Sequence, residues 1–189
     1  MEKGSVVVLH GSFGSPFENW FGWLYSQLAA NDIRCFVVHL PTPMGQTFEN
    51  WSRILSAYRA SDCIDSGSTL VAHSSASPFA VRYISEESLS LARLITVAGF
   101  DAFASGDSAF DSINSEVFTR GDGDFEDVRN LVSSRLAFYS RNDPYLPLDS
   151  LKAFAEKLDA EKVEFESAGH FNDASGYQEF PELLDRLIH

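Results

Sequence analysis

The sequence has 189 residues, 44% of them hydrophobic and 22% charged. This is the composition of an ordinary globular chain, and the length fits a single domain over residues 1–189 that needs no metal or disulfide staple to fold. Acidic residues outnumber basic ones 27 to 14, for a formal charge of −13, which opposes phosphate backbones and anionic membrane surfaces and sets nucleic-acid binding aside.

Cys35 and Cys63 stand apart from each other and from the histidines. Neither a zinc cluster nor a disulfide framework is expected, and the pair reads as two reduced, buried thiols. No apolar run approaches the ~20 residues that span a bilayer. Met1-Glu2-Lys3-Gly4-Ser5 runs into a short strand without a signal pattern, so a cytoplasmic protein with no membrane partner is expected.

In chain order, short β-branched runs alternate with helical patterns. Val6-Val7-Val8-Leu9 precedes a helix over 20–30, where Trp20, Trp23, Leu24, Gln27 and Leu28 recur at helical spacing. Phe36-Val37-Val38 precedes a helix over 48–58, and Thr69-Leu70-Val71-Ala72 one over 75–85. Leu94-Ile95-Thr96-Val97 leads into an irregular acidic segment. Leu136-Ala137-Phe138-Tyr139 precedes a helix over 148–158. Val163-Glu164-Phe165 is the last strand, followed by a helix over 177–188. Six apolar strands with helices between them predict an α/β fold, a doubly wound, mostly parallel six-stranded sheet covered by helices on both faces. Working residues then belong in the loops at the carboxyl ends of the strands.

The third strand ends Ala72-His73-Ser74-Ser75-Ala76-Ser77-Pro78. A serine flanked at two residues on either side by small ones, between a strand and a helix, reads as a nucleophile elbow with alanine in place of the usual glycine. Of 25 serines, Ser74 alone meets this pattern; the bland alternative is a helix N-cap. Ser75 and Ser77 are rivals whose neighbours at that spacing, His73 and Phe79, are too bulky for the turn.

A serine nucleophile needs a base and a carboxylate to orient it. His189 is terminal, and His10, His39 and His73 sit at strand ends where structural roles are available. His170, in the loop after the last strand, has the place a base needs. The chain order Ser…Asp…His puts the carboxylate between them. Asp143, held out of helical geometry by Pro144, is the first choice and Asp149, at the start of the next helix, the second. The turn His10-Gly11-Ser12-Phe13-Gly14 after the first strand offers a backbone N–H for an oxyanion, that of Ser12 with Phe13 as alternative, to pair with the N–H of Ser75. Neither phosphate-loop glycine pattern occurs, so nucleotide binding is disfavoured.

These residues, with Glu18-Asn19-Trp20-Phe21-Gly22-Trp23-Leu24, Leu40-Pro41-Thr42-Pro43, Asn142-Asp143-Pro144 and Gly169-His170-Phe171, resemble the small α/β-hydrolases grouped with retinoblastoma-binding protein 9 and the YdeN-type bacterial proteins. The resemblance covers nearly the whole chain. It implies a compact α/β-hydrolase lacking the first two strands of the larger fold, with serine-hydrolase chemistry and no cofactor. Ser74, Asp143 and His170 match the family's triad positions. Phe118-Thr119-Arg120 also resembles a family segment, but Gly121-Asp122-Gly123-Asp124 after it lacks proline and tryptophan, so the cover over the substrate departs from the family. The L-x-C-x-E peptide is absent, and retinoblastoma binding is not carried over.

Asp101 to Asp127 is rich in Ser, Gly and Asp, and a loop of that length commonly covers a site. Its Phe100, Phe103, Phe110 and Phe118 read first as core and second as a lid, the cover spanning about 100–127. Trp20, Trp23 and Trp51 read as helix core, while Phe13 or Phe17 could line a pocket. The expected function is a cofactor-independent, metal-free hydrolase of small ester, thioester or amide substrates, neutral or cationic in view of the acidic cover. The rival is a non-catalytic protein-binding module on the same scaffold.

Overall fold

Val6–Leu9 is buried on both sides, as a strand between helical layers must be, and it is the pivot of the sheet in the computed structural model of the chain, which describes residues 4–102 and 104–189. The strands are β1 (Val6–Leu9), β2 (Cys35–Val38), β3 (Thr69–His73), β4 (Leu91–Val97), β5 (Val132–Ser140) and β6 (Glu161–Phe165). They lie in the order β2-β1-β3-β4-β5-β6 with every pairing parallel. The chain leaves β1 towards β2 on one side, then returns past it to β3. Strand order therefore reverses at β1, and a crevice opens beyond the carboxyl ends of β1 and β3.

The helices are α1 (Phe21–Ala30), α2 (Phe48–Ala60), α3 (Ala76–Glu86), α4 (Ser108–Ser115), α5 (Asp122–Leu131), α6 (Leu148–Lys157) and α7 (Pro181–Ile188), with a 3-10 turn at Asp173–Ser175. Alternation along β1 sorts two cores. Val6 and Val8 face Phe21, Leu24 and Leu28 of α1 and Leu183 of α7. Val7 and Leu9 face Phe48, Trp51 and Leu55 of α2 and Phe79, Ala80, Val81, Tyr83 and Ile84 of α3. Helix α6 serves both, with Leu151 and Ala155 in the first and Phe154 in the second. Trp20 and Trp51 are fully buried and Trp23 half-buried against the first core.

Three expectations need correction. The segment after β4 is not irregular but holds α4 and α5. Asp107 caps α4 by accepting the N–H groups of Ala109 and Phe110, and α5 lies on α3 through buried Phe125 and Val128. The last helix begins at Pro181 rather than near residue 177, with proline in the first turn where its missing N–H is harmless. Cys35 and Cys63 are free thiols, but both are half-buried rather than buried. The readings on Met1, Glu2, Lys3 and Phe103 lie outside the described residues.

Candidate active site

Ser74 has φ +57°, a left-handed conformation that few non-glycine residues adopt and that marks strain held by its surroundings. The restraints are local. The Ser74 N–H donates to the Val97 carbonyl at 2.8 Å, and its own carbonyl accepts from the Ser77 N–H at 2.9 Å. Ala72 and Ala76, two residues to either side, are fully buried, so larger side chains would have no room there. Ser77 turns its hydroxyl back onto the Ala72 carbonyl, and Ser75 directs its own towards Ser12. Of the three neighbouring serines, Ser74 is the one whose hydroxyl meets His170.

His170 follows β6 in a loop shaped by Gly169, whose φ is +54° and where a Cβ would lie 2.2 Å from Ser175 Oγ. That loop is bound to the end of β5: the Ala168 N–H donates to Ser140 Oγ and the Gly169 N–H to Asn142 Oδ1, each at 2.8 Å. The result is a continuous relay. His170 Nε2 lies 3.0 Å from Ser74 Oγ, and Nδ1 lies 2.7 Å from Asp143 Oδ2. A carboxylate only accepts, so Nδ1 carries the proton and Nε2 is free to accept from the Ser74 hydroxyl. The other Asp143 oxygen accepts the N–H groups of Tyr145 and Leu146 at 2.9 and 3.1 Å. The Asp143 side chain is wholly inaccessible to solvent. Asp149, the second choice for the carboxylate, lies exposed in the first turn of α6.

Two further histidines are structural parts of this floor. His73 is buried, and its Nε2–H donates to the His170 carbonyl at 2.9 Å. Burial, reinforced by the neighbouring His170, drives its pKa down to about 3, so the ring is neutral. His10, also buried, accepts the Leu40 N–H on Nε2 and donates Nδ1–H to the Gly11 carbonyl. Burial lowers its pKa as well. His39 is exposed, and so is the terminal His189.

The turn after β1 reaches the elbow, though not in the expected state. The Ser12 N–H donates to Ser75 Oγ at 2.8 Å, and the Phe13 N–H donates to Thr42 Oγ1 at 2.7 Å. Both donors that this turn offers therefore already have acceptors, each a neighbouring side-chain hydroxyl. The cavity above Ser74 and His170 has a volume of about 350 Å³, walled by Phe13, Glu18, Phe100, Phe110, Asn114 and Tyr145 among others. Phe13 and Phe110 stack 5.9 Å apart, and Tyr145 stands edge-on to the His170 ring. Phe17, the alternative to Phe13, is absent from this wall and is 90% exposed. The cover thus contributes Phe110 and Asn114, while Phe100 is core and cavity wall at once.

Sequence reasoning missed Gln46, Asn114, Asn142 and Tyr145. Asn142 and Tyr145 adjoin Asp143 and a closer reading of that turn reaches them. Gln46 and Asn114 carry no local signal, since their partner is a loop far away in the chain. Among the described residues no group of three or more His, Cys, Asp or Glu is placed to hold a metal ion. No helix there is long and apolar enough to cross a membrane.

Residues 6–189 match the family model described as Serine hydrolase. The chain is 28% identical over 184 residues to the hydrolase YdeN of Bacillus subtilis (strain 168), covering 96% of this chain and 93% of that one. It is 24% identical over 183 residues to the rat protein named Serine hydrolase RBBP9, covering 96% and 91%. The crystal structure of the B. subtilis ydeN product superposes with a TM-score of 0.86 at 27% identity, over 97% of this chain and 96% of that one.

Proposed function

The chain belongs to the serine hydrolase family and is an enzyme of that α/β-hydrolase fold, and from this premise we propose that Ser74, His170 and Asp143 carry its reaction. The observation that supports the assignment is the relay from Asp143 through His170 to Ser74, with the proton on Nδ1 and the lone pair of Nε2 facing the Ser74 hydroxyl. His170 takes the hydroxyl proton as Ser74 Oγ attacks an acyl carbonyl. Asp143 holds the imidazole in the reactive tautomer and stabilises the imidazolium that forms. The protonated ring then gives its proton to the departing alcohol, thiol or amine, leaving an acyl group on Ser74. Water, deprotonated by the same ring, releases that group.

The carbonyl oxygen becomes an oxyanion during both attacks, and the N–H groups of Ser12 and Ser75 are the donors we assign to it. The Ser12 N–H becomes available when the oxyanion displaces the Ser75 hydroxyl that now accepts from it. Nothing in this sequence of steps calls for a cofactor. A cavity of about 350 Å³ walled by aromatic rings and Glu18 fits small ester, thioester or amide substrates, neutral or cationic rather than anionic.

A fluorophosphonate probe tests the assignment, since it is attacked only by an activated nucleophile. The expected result is one labelled peptide, containing Ser74, and no labelling of Ser74→Ala. Labelling that persists in that variant overturns the assignment.

A further inference from the structure

The Ser12 hydroxyl lies among three polar partners contributed by three separate parts of the chain. Gln46 Nε2 donates to Ser12 Oγ at 2.6 Å, Ser12 Oγ donates to Asn114 Oδ1 at 2.7 Å, and Ser75 Oγ is 2.7 Å away. Gln46 and Asn114 are both almost wholly buried.

The direction of every proton in this cluster follows from donor and acceptor counts. Asn114 Nδ2 donates to the Phe110 carbonyl, which identifies Oδ1 as the atom facing Ser12. That oxygen has no proton, so the single Ser12 O–H must go to it. Ser12 Oγ is then an acceptor towards its other neighbours, and the Ser75 O–H points at it. Gln46 Nε2 spends its two protons on Ser12 Oγ and on the Ile113 carbonyl at 3.1 Å. Its Oε1 accepts the Thr42 O–H at 2.7 Å, and Thr42 Oγ1 accepts the Phe13 N–H. The chain closes with no proton duplicated, and it couples Asn114 and Ile113 on α4 to the backbone of residues 12 and 13.

We propose that Gln46 and Asn114 are positioning residues for the oxyanion donor, and that α4 of the cover must be docked for the Ser12 N–H to face the reacting carbonyl. The peptide between Gly11 and Ser12 is held at two ends. His10 Nδ1–H fixes its carbonyl, and the Gln46–Ser12–Asn114 clamp fixes the side chain beside its N–H. A donor contributes to an oxyanion only when aimed in advance at the position where charge develops. The Ser12 N–H now donates to Ser75 Oγ, so the clamp acts by holding residue 12 beside the elbow, from where the N–H turns onto the oxyanion; with the clamp released the turn is free to swing away. The effect belongs to the transition state, so it lowers kcat and leaves ground-state binding alone.

This inference rests on the assignment of Ser74 as nucleophile, and the experiment separates the two. Hydrolysis of p-nitrophenyl acetate and p-nitrophenyl butyrate is measured for the parent, Asn114→Leu, Gln46→Leu, Ser12→Ala, Ser12→Thr and Ser74→Ala, with the thermal midpoint of each. The first three variants are expected to lose about 10- to 100-fold in kcat, less than the ~10²–10³ of removing a donor outright, with KM within about twofold. Inhibition by phenylboronic acid, which forms a tetrahedral adduct on an active serine, is expected to weaken by the same factor. Ser12→Thr, which keeps the hydroxyl, is expected to restore most of the rate, and Ser12→Ala combined with Asn114→Leu to be no slower than the worse single variant. Variants as fast as the parent, or a loss carried by KM alone, overturn the clamp while Ser74→Ala remains inert. Hydrolysis that survives Ser74→Ala overturns the nucleophile assignment and this inference with it.

Discussion

A Cβ placed on Gly11 would lie 2.8 Å from the Cβ of Ser74 and 3.0 Å from the His73 carbonyl oxygen. The turn after β1 and the elbow after β3 therefore interlock at a contact that only a hydrogen atom can fill. Both obstacles are tied to the backbone of a strained turn, so they cannot rotate away as a flexible side chain would. Gly11→Ala must push one loop off the other. Overpacking of this kind costs about 1–3 kcal/mol of stability, and a displacement near 1 Å at a reacting centre costs about 10²-fold in rate. A lowered thermal midpoint together with a fall of that order in kcat/KM is the expected result. Parent-like activity in Gly11→Ala would show that the loops have slack.

Asp143 and Asp149 give opposite results on amidation. Tyr145 and Leu146 hold one Asp143 oxygen with their N–H groups. In Asp143→Asn the amide oxygen stays with those donors, and the NH₂ group takes the place beside His170. Nδ1 then has to accept, which moves the ring proton to Nε2 and points it at Ser74. The wrong tautomer costs about 10⁴-fold in kcat in enzymes that use this relay, and that is the loss expected here. Asp149→Asn, exposed on α6, is expected to leave kcat within about twofold. Steady-state kinetics on the two proteins decides between the aspartates, and an equal loss in both would remove Asp143 from its assigned position.

The strands and the elbow were legible because their signals are local. Continuous apolar runs at Val6 to Leu9 and Leu70 to Ala72 announce buried parallel strands, and Ala72 and Ala76 announce the elbow. Helix α5 was not legible. It presents Phe125, Val128 and the half-buried Leu131 to the core, and Asp124 is buried beside them because Arg120 and Ser85 satisfy it. An acidic helix of this kind looks like a loop until α3 is seen to need a cover on its outer side. Asp107 before Ser108-Ala109-Phe110 is an N-cap signal that would have revealed α4. The clamp on Ser12 is a different case. Its members Ser12, Gln46 and Asn114 come from the turns after β1 and β2 and from the cover, and no spacing within the chain encodes their meeting.

Cys35 is expected to be unreactive in the folded protein although it is only half-buried. Burial pushes the Cys35 thiol up to about 12, and the thiolate is the reactive form. At pH 8 only about one Cys35 in 10⁴ is ionised, since each unit below the pKa is tenfold. Ellman's reagent on the folded protein is expected to titrate at most one thiol, lost in Cys63→Ser, with activity retained because neither cysteine lines the cavity. Two thiols reacting without denaturant would contradict the burial of Cys35.

His73 gives the fold an acid-sensitive element beneath the relay. Its folded pKa of about 3, set by burial and then by the nearby His170, lies below the ordinary 6.5. Between those two values the unfolded chain binds a proton that the folded chain refuses, so stability is lost as pH falls through this window and is unaffected above it. The slope from one such group is at most about 1.4 kcal/mol per pH unit. His10, whose pKa burial also lowers, adds a contribution of the same sign. His73→Gln keeps an N–H to offer the His170 carbonyl but has no titrating ring. Its thermal midpoint is expected to fall less than that of the parent between pH 6.5 and pH 4.5, while His10 and the carboxylates that begin to titrate at the low end of that range contribute equally to both proteins. Parallel midpoint curves for the parent and His73→Gln would mean that His73 is not refusing a proton in the folded state.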